Sequence, residues 1–168
     1  MTQTHEESVQ KLAELIKDVK VAMMTTAEAD GGLHSRPMHT QDTGFDGILW
    51  FFTDVDSTKV HELDRDHHVN LSYADPGENK YVSVSGVARK LRDPEKAKQM
   101  WSVFHKAWFD GPDDPKLALL RVEVQKAEYW DSPSSKVIQT IGFAKAILTG
   151  KRYADEATEH QKVNLSPE

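Results

Sequence analysis

The chain contains no cysteine. That excludes disulfides, thiolate metal sites, iron–sulfur clusters and cysteine nucleophiles together. It also fits the cytoplasm, where disulfides are rare. No apolar run approaches the roughly 20 residues a membrane helix needs. The opening stretch MTQTHEESVQKLAELIK is polar and acidic, without the apolar core and cleavage site of a secretion signal. Positive charge is also scarce, with 21 Lys and Arg against 27 Asp and Glu and a formal net charge of −6. A general nucleic-acid partner is therefore not expected, because neutralising phosphates takes a basic face. A small anionic ligand remains open, since a few cations can be gathered locally. The expectation is a cytoplasmic protein with neither nucleic acid nor membrane as partner.

At 168 residues, 38% hydrophobic and 29% charged, the composition is that of one ordinary globular domain with a sizeable core. We read residues 1–150 as that domain and 151–168 as a loose polar tail. Val9, Leu12, Leu15, Ile16 and Val19 recur at helical spacing, opposite a charged face. The period then shortens: Val21–Thr26 and Leu33–Thr40 read as strands joined through Asp30-Gly31-Gly32. Ile48–Thr53 is a third strand, followed by a short helix to about Leu63. Val69–Tyr73 and Tyr81–Leu91 are two more strands, and Gly86 inside the second predicts a bulge or a close backbone approach. Asp93-Pro94 opens a helix expected to run to about Lys106. A strand from Leu117 to Trp130 and a helix from Ser135 to Gly150 complete the series. Strands joined by tight turns favour an antiparallel sheet or barrel over a βαβ array, so the fold class is mainly β with flanking helices (α+β).

Two segments could carry chemistry. In His34-Ser35-Arg36-Pro37-Met38-His39, alternation puts His34, Arg36 and Met38 on one face and Ser35, Pro37 and His39 on the other. A strand proline belongs at an edge or facing a ligand, and an arginine beside it can address an anion. A surface arginine on an edge strand explains the same residues. The second segment, Trp50-Phe51-Phe52-Thr53, leads into Ser57-Thr58-Lys59. A helix start offers free N–H groups to an anion. Lys59 in the first turn is electrostatically unfavourable unless something negative lies near. An ordinary N-cap and a solvated lysine fit equally well. Taken together, the segments suit a ligand with a phosphate at one end and a flat apolar ring at the other.

The order RPM, FFT and S-x-K, with VSVSGVARKLRDPEKAKQMW, AWFDGPDDPKLALLRVEVQKAEYWD and SSKV further on, resembles the general stress protein 26 branch of the pyridoxamine 5′-phosphate oxidase-like flavin-binding proteins. The resemblance implies a six-stranded split β-barrel working as a homodimer, with FMN, or alternatively FAD, at the dimer interface. It implies that Arg36 and Lys59 bind the phosphate with Ser57 and Thr58, that Pro37 and Met38 lie along the flavin ring, and that Phe52 and Thr53 border the cofactor. Trp108, Phe109 and Trp130 are further implied contacts, with packing as the competing explanation. The C-terminal Arg-x-His of true pyridoxamine-phosphate oxidases is missing from YADEATEHQKVNLSPE, which argues against that reaction. A flavin-dependent oxidoreductase, a non-enzymatic flavin-binding stress or storage module and a haem-binding split barrel are the open functions, and no catalytic residue is identified. His61, His67 and His68 do not have metal-ligand spacing, so no metal is expected. His105 and Asp110 lack a nucleophile turn that would make a triad.

Overall fold

A computed structural model describes residues 5–131 and 159–166. The chain runs α1 (His5–Val19), β1 (Val21–Ala27), β2 (Leu33–His39), β3 (Ile48–Asp54), α2 (Thr58–Arg65), β4 (His68–Asp75) and β5 (Lys80–Leu91). Then come α3 (Pro94–Met100), a 3-10 turn (Val103–Ala107), β6 (Leu117–Asp131) and β7 (Glu159–Asn164). The expected helix over 135–150 lies outside the described residues. No helix among those described is long and apolar enough to cross a membrane.

All strand pairs are antiparallel, in the order β2-β1-β4-β5-β6-β3, with β7 on the free part of β6. The two end strands come together where the Gln41 N–H donates to the Trp50 carbonyl at 2.9 Å. This is the split-barrel architecture, mostly antiparallel sheet with flanking helices. The barrel has one strand more than expected, because the tail read as loose contains β7. That strand was hard to see in EHQKVN, whose sole aliphatic residue, Val163, is the one it buries.

The interior follows from alternation. Met24, Leu49, Phe51, Leu71, Tyr73, Val82, Val84 and Leu120 are buried in the main core, which α1 closes with Leu12, Leu15 and Ile16. Tyr73 sits there fully buried with its hydroxyl 2.7 Å from Thr40 Oγ1, and burial pushes the phenol far above its ordinary pKa. The run Leu117-Ala118-Leu119-Leu120 is buried throughout, so both faces of β6 must be covered there. Its outer cover is a second small core, in which α3 and the loops packed beside it bring Ala97, Met100, Trp101 and Phe109 against Trp50, Phe52 and Leu119.

Two local expectations meet different fates. At Gly86 the register of β5 against β6 shifts, and a Cβ there would lie 2.4 Å from the Glu123 carbonyl oxygen. Both the bulge and the close approach are present. The helix from Pro94, capped by Asp93 as expected, instead stops at Met100. Ser102 and His105 then cap each other at the start of the 3-10 turn, and the Ser102 N–H donates to His105 Nδ1 at 3.0 Å. Local side-chain capping of this kind competes with continued helix.

Candidate functional site

The hairpin β1–β2 and the first turns of α2 face one another. Arg36 and His34 share a face of β2, Thr26 and Glu28 share the matching face of the first hairpin arm, and α2 lays Glu62 against them. Arg36 Nη1 donates to Thr26 Oγ1 at 2.5 Å and Nη2 to Glu62 Oε2 at 2.8 Å, while Thr26 also hydrogen-bonds Glu62. Burial pushes the Glu62 carboxyl up. The hydrogen bonds from Thr26 and Arg36, with the charges of Arg36 and His34, outweigh that and hold it below the usual carboxylate range. Glu62 is thus an ionised, nearly buried counter-ion for Arg36.

On the adjoining turn, Thr53 Oγ1 lies 3.2 Å from Ser57 Oγ and accepts from Lys59 Nζ at 3.1 Å. Ser57 is the N-cap of α2, but its side chain makes no cap hydrogen bond, so its hydroxyl leaves the helix-start N–H groups uncapped. Burial lowers the Lys59 pKa, and the Arg36 charge lowers it further against partial compensation from Asp54 and Glu62. No carboxylate stands within ion-pair distance of Lys59 among the described residues. Arg36 is neutralised within the protein and Lys59 is not.

The site residues expected from the sequence therefore divide. Arg36, Thr53, Ser57, Thr58 and Lys59 gather around the start of α2. Pro37 and Met38 separate by strand alternation, with Pro37 exposed on the outer face and Met38 buried in the main core. Phe52 and Phe109 belong to the second core, where Phe52 packs edge-on to His105 with centroids 4.4 Å apart. Trp130 stacks on His160 of β7 at 5.1 Å, with three strands between β6 and β2 in sheet order. Trp108 is 64% exposed beside Phe104, itself 58% exposed.

Sequence reasoning missed Thr26 and Glu62, and weighed His105 only as a member of a catalytic triad. Glu62 looked like a polar helix position, and only its i+3 spacing from Lys59 hinted at a shared face. His105 is buried, and since Nδ1 accepts from Ser102 N–H, its proton resides on Nε2, which is buried without a hydrogen-bond partner. Burial lowers its pKa.

Fold and cluster together define a split-barrel protein with a lysine and hydroxyl cluster at the start of α2. The chain belongs to the pyridoxamine 5′-phosphate oxidase-like family, whose model matches residues 7–154. It is 31% identical to Protein bli-3 of Neurospora crassa over 157 residues, covering 87% of this chain and 75% of that protein. Identity to general stress protein 26 of Bacillus subtilis is also 31%, over 117 residues covering 68% and 81% of the two chains. The solved general stress FMN/FAD binding protein of Xanthomonas citri superposes with a TM-score of 0.68 at 32% identity, covering 77% of this chain and 92% of that one.

Proposed function

We propose that this chain is a flavin-binding general stress protein that holds FMN, with FAD as the alternative, through a phosphate subsite at the start of α2. The carrying observation is Lys59, a part-buried ammonium whose pKa burial lowers, resting on Thr53 beside an uncapped helix start. A phosphate suits such a cluster, because it would meet the Lys59 charge, the Ser57 and Thr58 hydroxyls and free backbone N–H groups together. Arg36 contributes field and position more than a free charge, since Glu62 already faces it. The FMN/FAD binding protein of Xanthomonas citri, similar to this chain, supports the choice of ligand.

The protein would act as a homodimer in the cytoplasm. Its outer surface offers Val21 and Met23 on β1, next to Pro37 and His39 on β2, and Phe104 reaches His39 at 5.7 Å between ring centroids. Such contiguous apolar exposure suits cover by a second copy, with the flavin ring enclosed between subunits. Trp108 and Pro37 stand on this exposed side and would border the ring.

When bound, flavin supplies two-electron redox chemistry, and the protein anchors, orients and shields it. We favour a flavin-dependent oxidoreductase, with the missing Arg-x-His arguing against pyridoxamine phosphate as substrate. A flavin carrier without turnover is the second reading, favoured because the carboxylate at the site, Glu62, is committed to Thr26 and Arg36 and not free as an acid or base.

The test is the purified protein's spectrum. Flavin absorbance at about 450 nm that is bleached at a useful rate by NADH or NADPH supports the oxidoreductase. Yellow protein that neither nucleotide reduces supports the carrier. A Soret band, or no flavin uptake by wild type, overturns the proposal.

A further inference from the structure

The hairpin tip and α2 bring together three metal-ligating side chains that spacing along the sequence does not connect. We propose that Glu28, His34 and Glu62 form a binding site for a zinc-class divalent transition-metal ion. His34 Nδ1 lies 3.8 Å from Glu28 Oε1 and 3.7 Å from Glu62 Oε1, and one ligand atom from each residue falls within 4.8 Å of the other two. Around a tetrahedral ion with bonds of about 2.0–2.1 Å, neighbouring ligand atoms stand about 3.3 Å apart. Closing the difference needs a few tenths of an ångström to about 1.5 Å, within reach of rotations by the exposed Glu28 and His34 side chains.

Glu62 supplies the ligand atom whose position the fold fixes. It is 8% exposed and its Oε2 is taken by Thr26 and Arg36, but its Oε1 accepts no hydrogen bond from any described residue and faces His34. This oxygen is reached from the open cavity beside it, and Thr26 and Arg36 hold the carboxylate in place, so it is a pre-oriented and accessible ligand atom. Arg36 would act behind the ligand, fixing the carboxylate's orientation as outer-shell partners of metal sites do. Access is open, since a shallow cavity of about 450 Å³ borders Glu28 and Glu62, with Asp30, His61 and Arg65 around it. Three carboxylates (Glu28, Asp30, Glu62) face two guanidiniums (Arg36, Arg65) there, so the balance favours a cation. One nitrogen with carboxylate oxygens selects zinc-class ions over calcium, which takes six to eight oxygens.

The proposal is separate from the flavin reading and is tested on flavin-free full-length protein. Stripped protein is titrated with Zn²⁺ by calorimetry and with Co²⁺ by visible absorbance, and its melting temperature is followed with and without Zn²⁺. Wild type is expected to bind one equivalent and melt higher with zinc. His34→Ala and Glu28→Gln should each weaken binding at least about tenfold, the scale on which even outer-shell changes act. Both lie on exposed hairpin positions, so folding should survive. A His67→Ala/His68→Ala double variant should bind as wild type. Wild-type affinity in His34→Ala and Glu28→Gln, loss of binding in the double variant, or failure of wild type to bind one equivalent would each overturn the site.

Discussion

Arg36 Nη2 stands 2.8 Å from Glu62 Oε2, and the two side chains retain only 14% and 9% of their exposure. The ion pair ties β2 to α2 at the point where the proposed phosphate subsite begins. Two consequences follow for experiment, one for stability and one for ligand binding.

Removing one partner strands the other charge out of water. Arg36→Ala is expected to destabilise the fold by about 3–5 kcal/mol, the range for breaking a buried pair. Replacing both residues with apolar side chains of similar size should recover much of that loss. Urea unfolding of the single and double variants measures the difference, and equal stability of Arg36→Ala and wild type would refute the buried pair.

Lys59 has the opposite character, because little structure depends on it. Lys59→Ala should fold with near wild-type stability and yet lose most of its flavin affinity. The lowered pKa also gives a pH dependence with a definite sign. An anion needs the charged lysine, so affinity should fall as pH rises through a value below the ordinary 10.5, and binding on that side should take up a proton. Calorimetry in buffers of different ionisation enthalpy detects the uptake. Proton release would contradict the assignment.

His105 predicts how stability responds to mild acid. Its folded pKa lies below the ordinary 6.5, so between the two values the unfolded chain binds more protons than the folded one. Its contribution to stability is therefore complete above about pH 6.5 and lost as pH falls toward the folded value. Melting temperatures of wild type should drop over that interval, and His105→Phe should flatten the drop. A variant profile parallel to wild type would remove His105 as the cause.

Gly86 is restricted by contact, not by its dihedral angle. A methyl at that position meets the Glu123 backbone carbonyl, which cannot turn aside as a side chain can. Gly86→Ala should cost about 1–3 kcal/mol as the bulge shifts, the usual scale of overpacking. An unchanged denaturation midpoint would show that β6 yields freely.

Most elements were legible because their signals are local. The apolar stripe of α1, the alternation in β5, the Asp93-Pro94 helix opening and the bulge at Gly86 each reside within a short window. Other features were not. β7 buries one valine from a polar stretch, so its hydrophobic pattern is faint, and its strand character comes from pairing with β6. The break after Met100 depends on reciprocal capping by Ser102 and His105, which competes with the helix that composition favoured. Reading Pro37 and Met38 as one contact surface conflicts with alternation, which sends Met38 into the core and Pro37 outward.

By itself, the sequence determined α1, the first six strands, the antiparallel character of the sheet and the hydroxyl-lysine helix start, since all of these depend on nearest neighbours and periodicity. Only the tertiary structure decided that Glu62 neutralises Arg36 and that Lys59, beside it, has no ion-pair partner among the described residues. The pairing joins residues 26 positions apart across a strand and a helix. Which charge is compensated depends on distance and burial in space, and no spacing along the chain encodes either.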